Sequence, residues 1–185
     1  MFINFLEWRR ENNVDQAMVI YTCPNIPAVK AIYNCGYHST DREGRPFYID
    51  QPCKVEIDDI FNLISKEEII QYYIREYEYL LHVRLPACSA AAGKRIETSF
   101  SVLDVSGFSM GMFKKKSRDF VKMPIGITQN NYPEIMHKLF IINTPLMFRG
   151  AWAVIKPFLA PGTIKKITIL GSKYQKELFE HVDPD

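Results

Sequence analysis

The chain has 185 residues, a hydrophobic content of 47% and a formal net charge of +2. The length most simply fits one domain, residues 1–185, with enough chain for a full hydrophobic core. The near-neutral charge excludes a strongly basic nucleic-acid binder, and the hydrophobic content excludes a disordered chain. The four cysteines form no C-x-x-C pair, so we expect free cytosolic thiols and no metal site.

The first part of the chain predicts a short helix, an irregular segment and one strand. Residues 2–12 are expected to be helical, and residues 14–35, which contain Pro24 and Pro27, to be irregular. A turn at residues 42–44 precedes a predicted strand at residues 46–50. Because side chains alternate along a strand, Tyr48 and Asp50 share one face of it.

A capping box predicts the start of the next helix. Ser65 is followed three residues later by Glu68, so the Ser65 hydroxyl can accept a helical N–H while Glu68 reaches back. The helix is expected to run to about residue 83, and residues 84–93, basic and rich in small side chains, to form a turn. Its apolar stripe has helical spacing and is typical of a core-facing helix; it comprises Ile70, Tyr73, Ile74, Tyr77, Leu80 and Leu81.

The predicted strand at residues 96–105 is unusually polar for a central strand of an α/β sheet. Ser99 and Ser101 lie on one face with Glu97 and Leu103, because side chains alternate. Two hydroxyl groups on one face indicate contact with a polar ligand group. The alternative is that both serines bond to neighbouring main chain.

The remaining elements alternate between helix and strand. A helix broken near Pro124 is followed by strands at residues 139–143 and 166–170 and a last helix at 174–181. This alternation predicts a mainly parallel sheet with flanking helices, an α/β fold. The helix predicted at residues 146–159 is apolar around most of its axis, so it is either sandwiched in the core or meets an apolar partner transiently.

One motif is typical of a serine hydrolase. Residues 107–111 match Gly-x-Ser-x-Gly directly after a strand, which would make Ser109 a nucleophile. The remaining triad members could only be Asp119 with His137 or His181. Asp119 falls within a predicted helix rather than after a later strand, and no oxyanion-hole motif precedes Ser109, so we expect no enzyme.

Seven motifs together resemble the CRAL-TRIO family of lipid-transfer proteins, in particular the fungal-type phosphatidylinositol/phosphatidylcholine exchangers. They are DREGRPFY (41–48), RLPACSAAAG (84–93), ETSFSVLDVSGFS (97–109), QNNYPE (129–134), IINTP (141–145), KPFL (156–159) and ILGSKYQKEL (169–178). The resemblance implies a sheet that forms the floor of an apolar lipid pocket and a mobile apolar gate helix that closes it. It also accounts for the Gly-x-Ser-x-Gly motif without catalysis.

The resemblance also implies site residues. The phosphatidylcholine site would comprise Tyr37, Tyr48, Tyr77, Ser99 and Ser101, with the serines at the phosphate and the tyrosines around choline. The phosphatidylinositol site would comprise Asp41, Pro46, Glu134, Thr163 and Lys166, with Lys166 at a phosphate. The gate helix would present Phe148, Trp152 and Phe158.

Two departures from the family pattern concern the ends of the chain. The N-terminal helical region and the C-terminal closing segment of the family are largely absent, so the fold is expected to be truncated at both ends. The expected partners are phospholipid cargo and a transient membrane surface, with no other cofactor and no nucleic acid, for a monomer in the cytoplasm that associates with Golgi or endosomal membranes. A different hydrophobe, such as a sterol or haem, remains an alternative cargo.

Overall fold

The computed structural model describes residues 2–184, which form a five-stranded sheet with flanking helices. The strands are β1 (Cys35–Thr40), β2 (Pro46–Asp50), β3 (Ser99–Asp104), β4 (Met136–Ile142) and β5 (Ile167–Ile169). The helices are α1 (Phe2–Glu11), α2 (Ala17–Ile20), α3 (Ile26–Ile32), α4 (Ile57–Leu63), α5 (Lys66–Tyr79), α6 (Leu85–Ala92), α7 (Lys115–Asn131), α8 (Phe148–Ile155), α9 (Pro161–Lys165) and α10 (Gln175–Phe179).

The sheet confirms the predicted α/β fold with mainly parallel strands. Its strand order is β1-β2-β3-β4-β5, and the only antiparallel pair within residues 2–184 is β1 with β2. Parallel neighbours need a crossover that returns the chain to the same edge of the sheet. Helices supply each crossover: α4 to α6 between β2 and β3, α7 between β3 and β4, and α8 with α9 between β4 and β5.

The two faces of the sheet differ in composition. One face is a closed core, in which α10 and the following turn cover aromatic side chains of three strands; its buried residues are Phe47, Phe100, Val102, Phe140, Ile142, Leu178 and Val182. By the strand register, the opposite face bears Tyr37, Tyr48, Ser101 and Leu139, and we call it the tyrosine face. Tyr48, Ser101 and Leu139 are half-buried.

The helix α5 begins with the predicted capping box. The Ser65 Oγ accepts the N–H of Glu68 at 3.2 Å, and the Glu68 carboxylate accepts the N–H of Ser65 at 3.2 Å. The helix continues through a π-helical turn, Leu80–Arg84, into α6, which ends at Gly93 with φ +63°. The turn predicted for residues 84–93 is therefore wrong, because the alanines of this segment favour helix and Pro86 is tolerated in the first turn.

Other boundaries also differ from the predictions. Residues 14–35 contain α2 and α3 and the first residue of β1, and Pro27 again lies in the first turn of a helix. Helix α7 runs through Pro124 without a break, since buried Phe120 holds the helix against the core. β3 is shorter than predicted because Ile96 packs with the helices instead of extending the strand.

Candidate functional site

The register of the sheet brings three of the five predicted phosphatidylcholine residues into one row. Tyr37 on β1 pairs with Tyr48 on β2, and Tyr48 pairs with Ser101 on β3. The rings of Tyr37 and Tyr48 contact each other, with centroids 5.0 Å apart and planes at 65°. Strands separate neighbouring side chains by only about 4.8 Å, so aromatic rings and a hydroxyl group share one patch of the tyrosine face.

The two serines of β3 have different environments. Ser99 is only 6% exposed, and its hydroxyl donates to the main-chain carbonyl of Ile135 at 3.3 Å. Ser101 lies nearer the middle of the strand and is half-buried. The alternative that a serine bonds to neighbouring main chain therefore holds for Ser99 in this structure, and Ser101 is the better placed of the two to meet a ligand.

Tyr77 joins this region from helix α5. It packs in the same cluster as Tyr37, and its ring centroid lies 5.0 Å from that of Tyr132. Burial raises the pKa of Tyr77 to about 12, although the nearby Thr128 hydroxyl opposes the shift. The Tyr77 hydroxyl is therefore a neutral hydrogen-bonding group in an otherwise apolar wall.

The predicted phosphatidylinositol residues lie near the amino ends of the parallel strands. Lys166 precedes β5 and pairs through its Nζ with Glu134 Oε2, before β4, at 2.7 Å. The Thr163 carbonyl accepts the Lys166 N–H at 3.0 Å. The fold thus brings Glu134, Thr163 and Lys166 together, and the pKa of Glu134 is lowered by its hydrogen bond with Lys166.

The other two predicted inositol residues lie at the start of β2. Pro46 is its first residue, and Asp41 is 4% exposed in the hairpin turn. The Asp41 carboxylate accepts the main-chain N–H groups of Glu43 at 3.0 Å and Arg45 at 2.8 Å, and it pairs with the Arg45 guanidinium at 3.0 Å. Because β3 and β4 lie between β2 and β5, Asp41 is separated from Lys166 by the width of the parallel sheet.

Helix α8, the predicted gate helix, presents apolar side chains in both directions. Its inner side contains buried Ala151, half-buried Trp152 and Phe148, whose ring lies 5.4 Å from that of Phe108. Its outer side and flanks leave large apolar side chains in solvent; these are Leu146 at 82%, Met147 at 52%, Val154 at 38% and Phe158 at 43% exposure. The helix therefore packs against the rest of the protein on one side and exposes apolar side chains to solvent on the other.

Helix α7 holds the segment that follows the carboxyl end of α8. The Gln129 Nε2 donates to the carbonyl of Phe158 at 2.6 Å, and the Gln129 Oε1 accepts the N–H of Ala160. The Lys122 ammonium lies 4.0 Å from the centre of the Phe158 ring. A few polar contacts, rather than a buried apolar seam, join this end of α8 to the rest of the protein.

Two buried polar atoms of the described residues lack hydrogen-bond partners, and both border the tyrosine row. They are Asp50 Oδ1, two residues after Tyr48, and Arg84 Nη1, whose guanidinium lies 4.3 Å from the centre of the Tyr37 ring. Neither residue is among those predicted from the sequence to form a site. The alternation of side chains along β2 could have indicated Asp50, because Asp50 shares a face with Tyr48. The position of Arg84 could not be predicted in this way, because it depends on the π-helical turn.

The hydrolase residues are not brought together. Ser109 follows the carboxyl end of β3, whereas His137 lies at the amino end of β4. The main-chain carbonyl of His181 accepts the main-chain N–H of Arg42, and the His181 ring contacts Lys138 near the same amino edge. The six residues of β3 span about 17 Å between the two edges. A general base at that distance cannot activate the Ser109 hydroxyl.

Two surface clefts contain none of the residues of the tyrosine face, although Trp8 and Ile127 of the first cleft pack in the same cluster as Tyr37 and Tyr77. One, of about 470 Å³, is lined by Asn4, Phe5, Trp8, Gly126, Ile127, Asn130 and Asn131; the other, of about 510 Å³, by Ile32, Lys54, Val55, Glu56, Asp59, Asn62 and Leu63. Neither contains a predicted head-group residue. Among residues 2–184, no helix has the length and hydrophobicity needed to cross a bilayer.

Comparison with known proteins identifies the family. The CRAL/TRIO domain model matches residues 31–185. The chain is 37% identical over 183 residues to "Phosphatidylinositol/phosphatidylcholine transfer protein SFH4" of Arabidopsis thaliana, covering 99% of this chain and 30% of that protein. It is 39% identical over 182 residues to "SEC14 cytosolic factor" of Eremothecium gossypii, covering 98% of this chain and 59% of that protein.

A solved structure supports the same fold. The crystal structure of Sfh5 superposes with a TM-score of 0.75 at 20% identity, over 96% of this chain and 59% of that chain. The present chain thus spans between 30% and 49% of the length of the plant relatives and 59% to 60% of the fungal ones. The domain model that matches residues 31–185 shows that the chain belongs to the CRAL/TRIO domain family, and the structural match shows the same fold.

Proposed function

We propose that this chain binds phospholipid and transfers phosphatidylinositol and phosphatidylcholine between membranes, without catalysing a reaction. The observation that supports this best is the row of Tyr37, Tyr48 and Ser101 across three strands, with Tyr77 nearby. Aromatic faces suit a quaternary ammonium, and a hydroxyl group suits a phosphate. Relatives at 36 to 39% identity are named as transfer proteins for these two lipids or as SEC14 cytosolic factors.

The proposed head-group contacts are divided between the two lipids. Ser101 donates to the phosphate of phosphatidylcholine, with Ser99 supporting the strand beside it. The pair of Lys166 and Glu134, with Thr163, receives the inositol head group, while Asp41 and Pro46 shape the edge of the sheet. Lys166 meets the phosphate, and Glu134 accepts hydrogen bonds from inositol hydroxyl groups.

Helix α8 is proposed to open as the gate. Its outer apolar side chains meet the bilayer, and its carboxyl end is released when the contacts of Gln129 break. Burial of acyl chains is worth about 0.8 kcal/mol per CH₂ relative to water, but the bilayer offers nearly the same environment. Loading and release are then close to balanced, as a carrier requires. The protein would act as a cytoplasmic monomer that associates peripherally with Golgi or endosomal membranes.

The test is transfer of labelled phosphatidylcholine and phosphatidylinositol between vesicles by matched variants. Ser101→Ala should lower phosphatidylcholine transfer about tenfold, because an unsatisfied phosphate oxygen costs on the order of 1–3 kcal/mol. Ser99→Ala is the matched control: its hydroxyl bonds to main chain, so it should lower stability more than transfer.

A second pair of variants tests the inositol site. Lys166→Ala should reduce phosphatidylinositol transfer and spare phosphatidylcholine, whereas Lys165→Ala, an exposed neighbour, should change neither. Equal loss of both lipids in Ser101→Ala and Lys166→Ala would exclude separate head-group sites. Mass spectrometry of co-purified lipid checks the cargo class, and a sterol or haem in place of phospholipid would contradict the proposal.

A further inference from the structure

Asp50 is a half-buried acid whose Oδ1 atom is buried, and it has no cationic partner. It lies on the tyrosine face at the end of β2, paired in register with Cys35 and Leu103, and its Oδ1 has no hydrogen-bond partner. Burial raises the pKa of Asp50 to about 6, while the hydroxyl of Tyr33 and the main chain of Gln51 oppose the shift. No lysine or arginine contributes to this shift.

Tyrosine side chains from three parts of the fold surround this carboxylate. The pKa values of Tyr33, Tyr48 and Tyr73 are raised first by burial and next by the charge of Asp50. The same charge also acts on Tyr77. A carboxylate close to several tyrosines is an arrangement that attracts an organic cation, since aromatic ring faces carry negative electrostatic potential and the carboxylate carries a negative charge.

The position of Asp50 relative to Ser101 fits the size of a zwitterionic head group. Ser101 pairs with Tyr48 on the adjacent strand, so Asp50 is its diagonal neighbour on the same face. A strand spacing of about 4.8 Å and a rise of about 6.6 Å over two residues place their Cα atoms about 8 Å apart. A phosphate beside Ser101 and an ammonium beside Asp50 can belong to one head group, with Tyr48 between them.

Arg84 indicates on which side of the tyrosine row the ammonium lies. Its guanidinium stacks between Tyr37 and Tyr79, at 4.3 and 4.4 Å from the ring centres, and pairs with Glu76 at 3.3 Å. One face of Tyr37 is therefore already occupied by a cation of the protein. A ligand cation therefore has only the other face of Tyr37 available, on the side of Tyr48 and Asp50.

We propose that Asp50 is the specificity-determining residue that binds the cationic end of a zwitterionic phospholipid head group. This inference rests on the proposed function and adds a basis for selectivity. A choline or ethanolamine group supplies the missing countercharge, whereas inositol supplies only hydroxyl groups. A metal ion is a poor alternative occupant, because no group of three potential ligand side chains exists among residues 2–184.

The experiment measures binding of two soluble probes, dihexanoyl-phosphatidylcholine and dihexanoyl-phosphatidylinositol, by titration calorimetry with the full chain. Asp50→Asn should weaken binding of the choline probe at least tenfold and change binding of the inositol probe less than twofold, because a buried cation loses its countercharge. Asp50→Glu, which keeps the charge, should restore part of the affinity.

The matched control is Asp104→Asn, the same substitution at the end of β3, on the opposite face of the sheet by register. It should leave the ratio of the two affinities unchanged. Equal weakening of both probes by Asp50→Asn, or no change, would overturn the inference, as would a parent protein that does not bind the choline probe. A parent that binds the choline probe but transfers no lipid between vesicles would contradict the proposed transfer function alone and leave the Asp50 result decisive.

Discussion

The buried charge of Asp50 should make the ligand-free protein less stable than it would be with a neutral side chain. The ordinary pKa of an aspartate, 3.8, is raised to about 6 by burial. Raising this pKa from 3.8 to about 6 costs the folded protein about 3 kcal/mol at pH 7. Asp50→Asn removes this cost at pH 7 but weakens the interaction with Tyr33, worth about 1 kcal/mol. We expect a net gain of about 1–2 kcal/mol in the free energy of unfolding.

The sign of the pH dependence follows from the direction of the shift. An acid with a raised pKa binds its proton more tightly in the folded than in the unfolded protein, so stability falls as pH rises from about 4 to about 6. Below pH 4 the carboxyl group is protonated in both states. The advantage of Asp50→Asn should therefore be complete at pH 7 and disappear near pH 4. Urea denaturation of both proteins at the two pH values measures it.

The control substitution, Asp104→Asn, is expected to change the free energy of unfolding in the opposite direction. Burial alone would raise the pKa of Asp104, but hydrogen bonds from Asn143, Ser106 and Gln51 outweigh it and lower the pKa. Asp104→Asn should therefore destabilise the protein at pH 7 and do so less at low pH. If Asp50→Asn were instead destabilising at pH 7, with no convergence towards the parent at pH 4, the Asp50 carboxylate would be stabilised in the folded protein, which would contradict its raised pKa.

Three further predictions concern the motif after β3 and the gate helix. Ser109→Ala should leave lipid transfer unchanged, and short-chain ester hydrolysis should not exceed the buffer rate; turnover abolished by this substitution would favour the hydrolase. Val154→Asp should lower vesicle binding and transfer together while the circular dichroism spectrum stays native. Val19→Asp, at a position 82% exposed on α2, should lower neither, and equal effects of the two substitutions would mean that α8 is not the membrane contact. Gln129→Ala removes two hydrogen bonds from the end of α8, so amide exchange at residues 156–160 should rise about tenfold, and unchanged exchange would mean that packing of Phe158 holds this end.

Local signals predicted the elements whose residues specify their own structure. The Ser65 and Glu68 capping box and the strand Pro46–Asp50 are present as predicted, because a cap and an alternating pattern depend on neighbours within a few residues. The helix through Leu85–Ala92 was missed, since small and basic residues are compatible with both turn and helix, and the packing of Leu85 in the core decides between them. Pro27 was also predicted to lie in an irregular segment and Pro124 to interrupt a helix. Pro27 instead lies in the first turn of α3 and Pro124 within α7, because packing in the core outweighs the local preference of proline.

The candidate site, like the fold, was predicted in part from the sequence and depends in part on the tertiary structure. Motifs along the chain were enough to predict the CRAL-TRIO family and the tyrosine and serine residues, because each motif is local and retains its order in the sequence. Only the register of β1, β2 and β3 places Tyr37, Tyr48 and Ser101 in one row, and only the main chain at Ile135 distinguishes Ser99 from Ser101. The position of Asp50 among tyrosines of β2, α5 and the residue after α3 is likewise a product of packing between distant segments, because a pKa depends on every group around the carboxylate and not on its neighbours in sequence.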